Sequence, residues 1–222
     1  MHITVIVQKG PHKQNCDDAS MIGNNIYGEG VHQIQREIPC VVAVADGVGG
    51  NHGGQEASHF VLNFLGDVVD IVNQSAEKLQ VLLHDCNAAL LSEAEKNPEH
   101  GKMATTLTAT ILRPEHSQLL QVGNTRLYGM PGSYLKQISE DQTTYQMLMN
   151  MGRMVEAEAC NKSEIVGCLG GGNPEFAKRA VIEEIMEDAL ECGDDTEAAQ
   201  RIIDAANAAG SDDDKTVMIV RF

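Results

Sequence analysis

The sequence predicts a mixed α+β fold in which helices pack on antiparallel sheets. Three observations predict it: strand-like segments near both ends, two long amphipathic helices in the first half, and a run of short strand-like segments directly after them. Strands and helices that are grouped rather than alternating favour antiparallel sheets covered by helices. Of the 222 residues, 42% are hydrophobic, so residues 1–222 are expected to form a single domain with an aliphatic core.

The first half contains two strand-like runs followed by two helical ones. Residues 3–7 and 40–45 are rich in β-branched and small apolar residues, which is typical of buried strands. Residues 55–72 and 76–96 place apolar side chains at helical spacing along one face. We therefore expect two strands and then two amphipathic helices.

The second half returns to strand periodicity and then to helices. A short helix is expected at 142–151, with Gly152 as its C-terminal stop. Residues 156–176 have no regular pattern, and helices are expected at 178–191 and 196–208. The strands expected in this half, which include the last segment of the chain, are 105–112, 119–122, 126–130, 134–138 and 216–222.

Charge and composition exclude several classes of function. The formal net charge of -16 argues against nucleic acid or an anionic membrane as a partner, because both are bound through clustered Lys and Arg. The start of the chain does not resemble a secretory signal, and no run approaches the ~20 apolar residues of a membrane helix. The six cysteines form no CxxC pair, so free thiols are expected. We expect a cytoplasmic monomer.

Acidic residues lie where predicted strands meet loops. The clearest is Asp46, which follows the strand 40–45 and precedes Gly47; the others are the pair 17–18 and the run 212–214. Two or three convergent carboxylates repel one another and favour a bound divalent cation. Taken singly, however, Asp-rich turns are commonly solvated turn formers, so no single group predicts a site.

Six ordered segments together carry a stronger signal. Their sequences are GPHKQNCDD (10–18), DGVGG with GQEAS (46–50 and 54–58), ATTL (104–107), GNTRLY (123–128), SEDQT through GRM (139–154) and DDKTVMIV (213–220). In this order and over nearly the whole chain, they resemble the metal-dependent protein serine/threonine phosphatases, the PPM or 2C-type family, in its bacterial single-domain form.

The resemblance implies a four-layer α-β-β-α sandwich of two antiparallel sheets flanked by helices, with a centre of two Mn²⁺ or Mg²⁺ ions at one edge. Asp46 would bridge both ions, the Gly47 carbonyl would bind one, and Asp213 would hold the other. Asp18 would act with Asp46 in catalysis by orienting water. Lys13 stands where the family has a phosphate-clamping arginine. Two further positions, Asp17 and Asn124, would lie beside a weak or absent third metal.

The implied activity is hydrolysis of phosphoserine and phosphothreonine on proteins by metal-activated water. The implied substrate is a phosphorylated protein, the product of a bacterial serine/threonine kinase.

Several positions depart from the family pattern. Lys13 keeps a positive charge but loses the planar fork of arginine, so phosphate binding should be less directional. Asn124 replaces an aspartate and should weaken the third metal position. Cys16 replaces an asparagine, and nothing in the sequence explains that change. After 156–176, which corresponds to the family's flap, a strand pair ending in Ser-Asp-Gly, whose Asp is a metal ligand, is missing.

Three hypotheses follow. An active phosphatase is favoured by Asp46, Gly47 and Asp213. A catalytically impaired relative that binds phosphoproteins or regulates a partner is favoured by Lys13, Asn124 and the missing strand. The third is an unrelated acidic cation-binding domain, which would be excluded if the N- and C-terminal strands paired beside the Asp46 strand.

Overall fold

The larger sheet of the protein places Asp46 at the end of one of its central strands. The structure is a computed structural model that describes residues 1–48, 53–96, 102–130, 134–172, 181–185 (backbone only) and 194–222. The six strands of this sheet are β2 (Ala19–Ile22), β3 (Asn25–Tyr27), β5 (Cys40–Ala45), β7 (Leu107–Leu112), β8 (Ser117–Val122) and β12 (Val181–Ile185). They lie in the order β12-β8-β7-β5-β2-β3, and every neighbouring pair is antiparallel.

The second sheet brings the two ends of the chain together. It consists of β1 (His2–Gln8), β4 (Gly30–Gln35) and β13 (Lys215–Arg221) in the order β13-β1-β4. All seven residues of β1 pair with β13, from His2 opposite Arg221 to Gln8 opposite Lys215. Because Gln8 pairs with Lys215, the loop that follows β1, with Gly10, lies next to the loop that precedes β13, with Asp213.

Two short strand pairs and five helices complete the described fold. The pairs are β6 (Ala104–Thr105) with β11 (Leu169–Gly170), and β9 (Tyr128–Gly129) with β10 (Lys136–Gln137). The helices are α1 (Gly54–Gly66), α2 (Ala76–Lys96), α3 (Thr144–Asn150), α4 (Met154–Ala159) and α5 (Asp195–Ala208). None of the described helices is both long and apolar enough to cross a membrane.

Strand alternation divides the core into three layers of contacts. On β5, Val41 and Ala43 face α1 and α2, whereas Cys40 and Val42 face the smaller sheet. On β1, Ile6 turns outward and packs against α5. The resulting order, α1 and α2, six-stranded sheet, three-stranded sheet and α5, is the expected four-layer α-β-β-α sandwich.

Several predicted elements are confirmed, among them β1, β5, α2, α5 and β13. The helix expected to reach residue 72 is wrong at its end: α1 stops at Gly66, and a short 3-10 turn, Ile71–Asn73, follows. Val69, expected on the buried face, is 86% exposed because it lies beyond that stop.

The helix expected at 178–191 is also wrong where the structure describes it. Val181–Ile185 is a strand that pairs with β8 along the edge of the larger sheet. Two adjacent glutamates favour a helix locally, but pairing with a free sheet edge decides the outcome. The rest of that predicted helix lies outside the described residues. Within 156–176, the structure shows the end of α4 and the strand β11.

Candidate metal centre and active site

The backbone of Asp46 is fixed from both sides by the segment that follows α2. The Asp46 carbonyl accepts hydrogen bonds from the Thr106 amide and the Thr105 hydroxyl, both at 2.9 Å. The Asp46 amide donates to Thr106 Oγ1 at 3.3 Å. Both threonines are fully buried. The hydrogen bonds with Thr105 and Thr106 therefore fix the backbone conformation of Asp46 at the end of β5.

Gly47 is required by space. A Cβ added at Gly47 would lie 2.4 Å from the Gly54 carbonyl oxygen and 2.7 Å from that of Asp17. The Gly47 amide also donates to the Asp17 carbonyl at 3.2 Å. A glycine is needed here because two other backbone segments approach closely. The two glycines that follow Val48 lie outside the described residues.

Asp18 is a buried carboxylate that lacks part of its hydrogen bonding. Its side chain is 5% exposed, and Oδ2 accepts from the Thr216 hydroxyl at 2.7 Å. Within the described part of the chain, Oδ1 has no hydrogen-bond partner. An unpartnered buried carboxylate oxygen is costly, and a bound cation would remove that cost.

The carboxyl groups of Asp18 and Asp46 influence each other. Burial, and then the negative charge of Asp46, raises the pKa of Asp18. Burial, and then the charge of Asp213, raises the pKa of Asp46, while its contact with Asp18 and the charge of Lys13 oppose that rise. The net upward shifts are those expected for carboxyl groups buried near other negative charges.

Lys13 is bound by three carboxylates in this region. Its Nζ lies 2.6 Å from Asp213 Oδ1, 2.9 Å from Asp214 Oδ2 and 3.2 Å from Asp17 Oδ2. Burial lowers the pKa of Lys13, but hydrogen bonds to Asp213 and Asp214 outweigh it and the net shift is upward. Burial opposes the shift at Asp213 too, and Lys13 lowers its pKa overall.

Asp214 joins the N-terminal loop to the C-terminal one. Its side chain is 1% exposed, and its two oxygens accept from the backbone amides of Gly10 and Asp17, both at 2.7 Å. The loops touch closely, since a Cβ at Gly10 would lie 2.4 Å from the Asp212 carbonyl oxygen. The acidic run 212–214 is therefore part of a fixed junction and is not a freely solvated turn.

The turn at 123–126 is connected to Asp46 through threonines. Thr125 Oγ1 lies 2.6 Å from Thr106 Oγ1, and the Thr125 carbonyl accepts from the Thr108 hydroxyl at 2.6 Å. Asn124, in the same turn, is half-buried. The neighbouring Arg126 is held by the carboxylate of Asp141, with Nε 2.9 and 3.0 Å from its two oxygens.

The residues present fit a hard divalent cation by their chemistry. Carboxylates and a backbone carbonyl are the oxygen donors that Mg²⁺ and Mn²⁺ prefer, and Asp18 has an oxygen to spare. In the described ranges, no three His, Cys, Asp or Glu side chains are already arranged as a metal-binding group. Instead, Asp213 is bonded to Lys13.

The structure thus brings most of the sequence-predicted site residues into one region. Asp18, Asp46 and Gly47 are connected through Asp17, and Lys13 connects Asp17 to Asp213. Asn124 belongs to a separate turn.

Sequence reasoning missed the supporting role of three residues: Thr106, Thr216 and Asp214. Thr106 and Thr216 stand in segments that were already recognised, but their partners follow from the fold alone.

The sequence matches one protein-family model over most of its length. Residues 12–202 match the family model described as Protein phosphatase 2C. The serine/threonine protein phosphatase PstP of Mycobacterium tuberculosis is 29% identical over 203 residues, covering 81% of this chain and 40% of that protein. The chain therefore spans less than half the length of this curated relative.

Solved structures share the fold. The serine/threonine phosphatase Stp1 of Staphylococcus aureus superposes with a TM-score of 0.79 at 19% identity, covering 99% of this chain and 94% of the other. The catalytic domain of PstP, in a structure with two manganese ions, gives 0.68 at 22% identity, covering 98% and 97%.

Proposed function

Because the chain belongs to the protein phosphatase 2C family, we propose that it hydrolyses phosphoserine and phosphothreonine on proteins, with two Mn²⁺ or Mg²⁺ ions as cofactors. The observation that carries the proposal is the pair of converging carboxylates, Asp18 and Asp46, with one buried oxygen of Asp18 unpartnered. Family membership excludes the hypothesis that the chain is an unrelated cation-binding domain. The N- and C-terminal strands do pair, although in the sheet that faces β5.

The proposed roles follow from the positions of the side chains. Asp46 and the Gly47 carbonyl would hold the cations, because Thr105 and Thr106 fix their backbone. Asp18 would accept a hydrogen bond from an attacking water through Oδ1, which has no partner among the described residues. The bound ions would supply activation of that water and neutralise charge on the phosphoryl oxygens. Asp213 would complete the cation site and Lys13 would contact the phosphate.

The substrate class and setting are part of the same proposal. The relative PstP is named a serine/threonine protein phosphatase, which supports a phosphorylated protein as the substrate. We propose a bacterial serine/threonine kinase as the source of that substrate, and a cytoplasmic monomer as the working form.

The catalytically impaired alternative is favoured by one specific observation. The ammonium of Lys13 is bonded to three carboxylates rather than left free for a phosphate. The sequence also has no Asp-Gly after residue 176 to supply the ligand that the family carries there. A protein of this kind would bind a phosphopeptide without turning it over.

The test is hydrolysis of p-nitrophenyl phosphate with and without millimolar Mn²⁺, with Asp46→Asn as the control. The proposal expects manganese-dependent turnover that the substitution removes. Absence of turnover in a folded protein that still binds a phosphoserine peptide would establish the impaired alternative instead.

A further inference from the structure

We infer that Lys13 is the internal counter-ion of the loop 212–214, and that a divalent cation arriving at Asp213 displaces it. The inference rests on the proposed function for the existence of the cation site. It adds an exchange between two cations at one carboxylate, one supplied by the chain itself.

The first argument is the number of charges. Three carboxylates, those of Asp17, Asp213 and Asp214, share the ammonium of Lys13 within 3.2 Å. The shortest of these contacts, 2.6 Å, is to Asp213, which is the proposed metal ligand. The ammonium of Lys215, directly after this loop, donates to the backbone carbonyls of Ser211 and Asp213. Asp213 Oδ1 also accepts from the Asp214 amide at 2.9 Å, so a metal ion that binds this oxygen would take the place of one of its two donors, and the side-chain donor Lys13 is the one that can move away.

The second argument is that the contact can be given up without unfolding the junction. Asp213 is 68% exposed and Lys13 27%, so both side chains have room to move. Asp214 would keep its two backbone donors, Gly10 and Asp17, after Lys13 leaves. A flexible lysine stem with a compact charge suits such an exchange better than the rigid fork of arginine.

The third argument is where the released ammonium would stay. The backbone amide of Lys13 donates to the Gly10 carbonyl at 3.2 Å. This bond holds the Lys13 backbone in place, so the side chain remains beside the site. A freed ammonium there can bind an anion that the cation also attracts. Metal and phosphate binding would then favour each other, and each would strengthen the other by the same factor.

The experiment measures Mn²⁺ binding by isothermal titration calorimetry in the wild type, Lys13→Gln and the matched control Lys9→Gln. Lys9 lies in the same loop, but among the described residues its ammonium donates to the Gln14 carbonyl and to no carboxylate. Removing a competing ion pair of this exposure should tighten Mn²⁺ binding roughly three- to tenfold in Lys13→Gln. Lys9→Gln, which changes the net charge equally, should stay within about twofold.

A second measurement uses the wild type alone and does not depend on a variant folding. Lysine acetylation with acetic anhydride, followed by mass spectrometry, should label Lys13 several-fold faster in the presence of Mn²⁺. Lys9 should be labelled at the same rate with and without the ion. Protection of Lys13 that is unchanged by Mn²⁺ would overturn the inference.

The outcomes separate this inference from the proposed function. Mn²⁺ binding to the wild type with equal affinity in Lys13→Gln overturns only the exchange. No Mn²⁺ binding in either protein overturns the proposed function together with the exchange.

Discussion

The two sides of the candidate site are built differently. Asp46 leaves a central strand of the larger sheet, and three hydrogen bonds from Thr105 and Thr106 fix its backbone. Asp213 lies in a loop, its side chain is 68% exposed, and its contact across the junction is an ion pair with Lys13. One side is positioned by buried backbone bonds, and the other by charges near the surface.

The difference shows how such a site can hold one ligand in a fixed position and still allow an ion pair at another ligand to be replaced by a bound cation. Buried hydrogen bonds hold a ligand in place whatever the solvent contains, because no water competes for them. Ion pairs near the surface are worth little and yield to a better cation. We therefore expect the Asp46 side to set the geometry and the Asp213 side to adjust to what binds.

The largest effect should come from exchanging the two carboxylates for amides. Asp46→Asn should lower manganese-dependent hydrolysis of p-nitrophenyl phosphate by roughly 10³-fold, because the charge removed sits at the fixed side of the site. Asp213→Asn should lose roughly tenfold to a hundredfold, since the Asp213 side chain is 68% exposed and can reorient. Steady-state rates at saturating Mn²⁺ measure both, and equal losses would break the comparison.

The next effect concerns the packing beside Asp46. Gly47→Ala places a methyl group 2.4 Å from the Gly54 carbonyl oxygen, so the free energy of unfolding should fall by about 3 kcal/mol. Gly28→Ala is the matched control, because nothing lies within 4 Å of its added Cβ, and it should change stability by less than about 0.5 kcal/mol. Urea denaturation measures both, and similar costs would contradict the steric argument.

A smaller effect separates support of Asp46 from support of the fold. Thr106→Val and Thr108→Val each remove a buried hydroxyl that contacts Thr125, and each should cost about 1–2 kcal/mol of stability. Only Thr106 also accepts from the Asp46 amide, so only Thr106→Val should lower kcat, by roughly tenfold. The prediction fails if the two variants lose activity alike.

The smallest effect has the opposite sign. In Asp18→Asn the amide keeps an acceptor for Thr216, removes a buried negative charge, and supplies a donor that can reach the neighbouring Asp46 carboxylate. The metal-free protein should therefore gain about 1 kcal/mol of stability. Thermal unfolding in EDTA and in Mn²⁺ measures this, and the rise in Tm on adding Mn²⁺ should shrink. A less stable metal-free variant would show that Asp18 is already satisfied.

How far the fold could be predicted from the sequence depends on the range of the interactions. The buried strand β5 and the amphipathic helix α2 could be predicted from the local pattern of apolar residues, and the structure confirms both. The strand Val181–Ile185 could not be found that way, because pairing with β8 creates it. The strands β2, β3 and β4 were also missed, since each is short and owes its conformation to a neighbour.

The candidate site divides in the same manner. Asp46 could be selected because a carboxylate at the end of a buried strand has a recognisable pattern, and Asp18 because the segment 10–18 resembles a family motif. The bonds of Lys13 to Asp213 and Asp214 join residues about 200 positions apart, and no local pattern reports them. The roles of the predicted residues in catalysis remain predictions that the experiments above address.

The pairing of β1 with β13 also decides when the site can exist during synthesis. Gly10 and Asp214 are 204 residues apart, yet the backbone amide of Gly10 donates a hydrogen bond to the carboxylate of Asp214. A ribosome-bound chain that has released β5 and β8 already carries Asp18 and Asp46, but nothing yet closes the second half of their site. If Asp213 completes the cation site as proposed, the nascent chain should become active only after β13 has emerged and paired with β1.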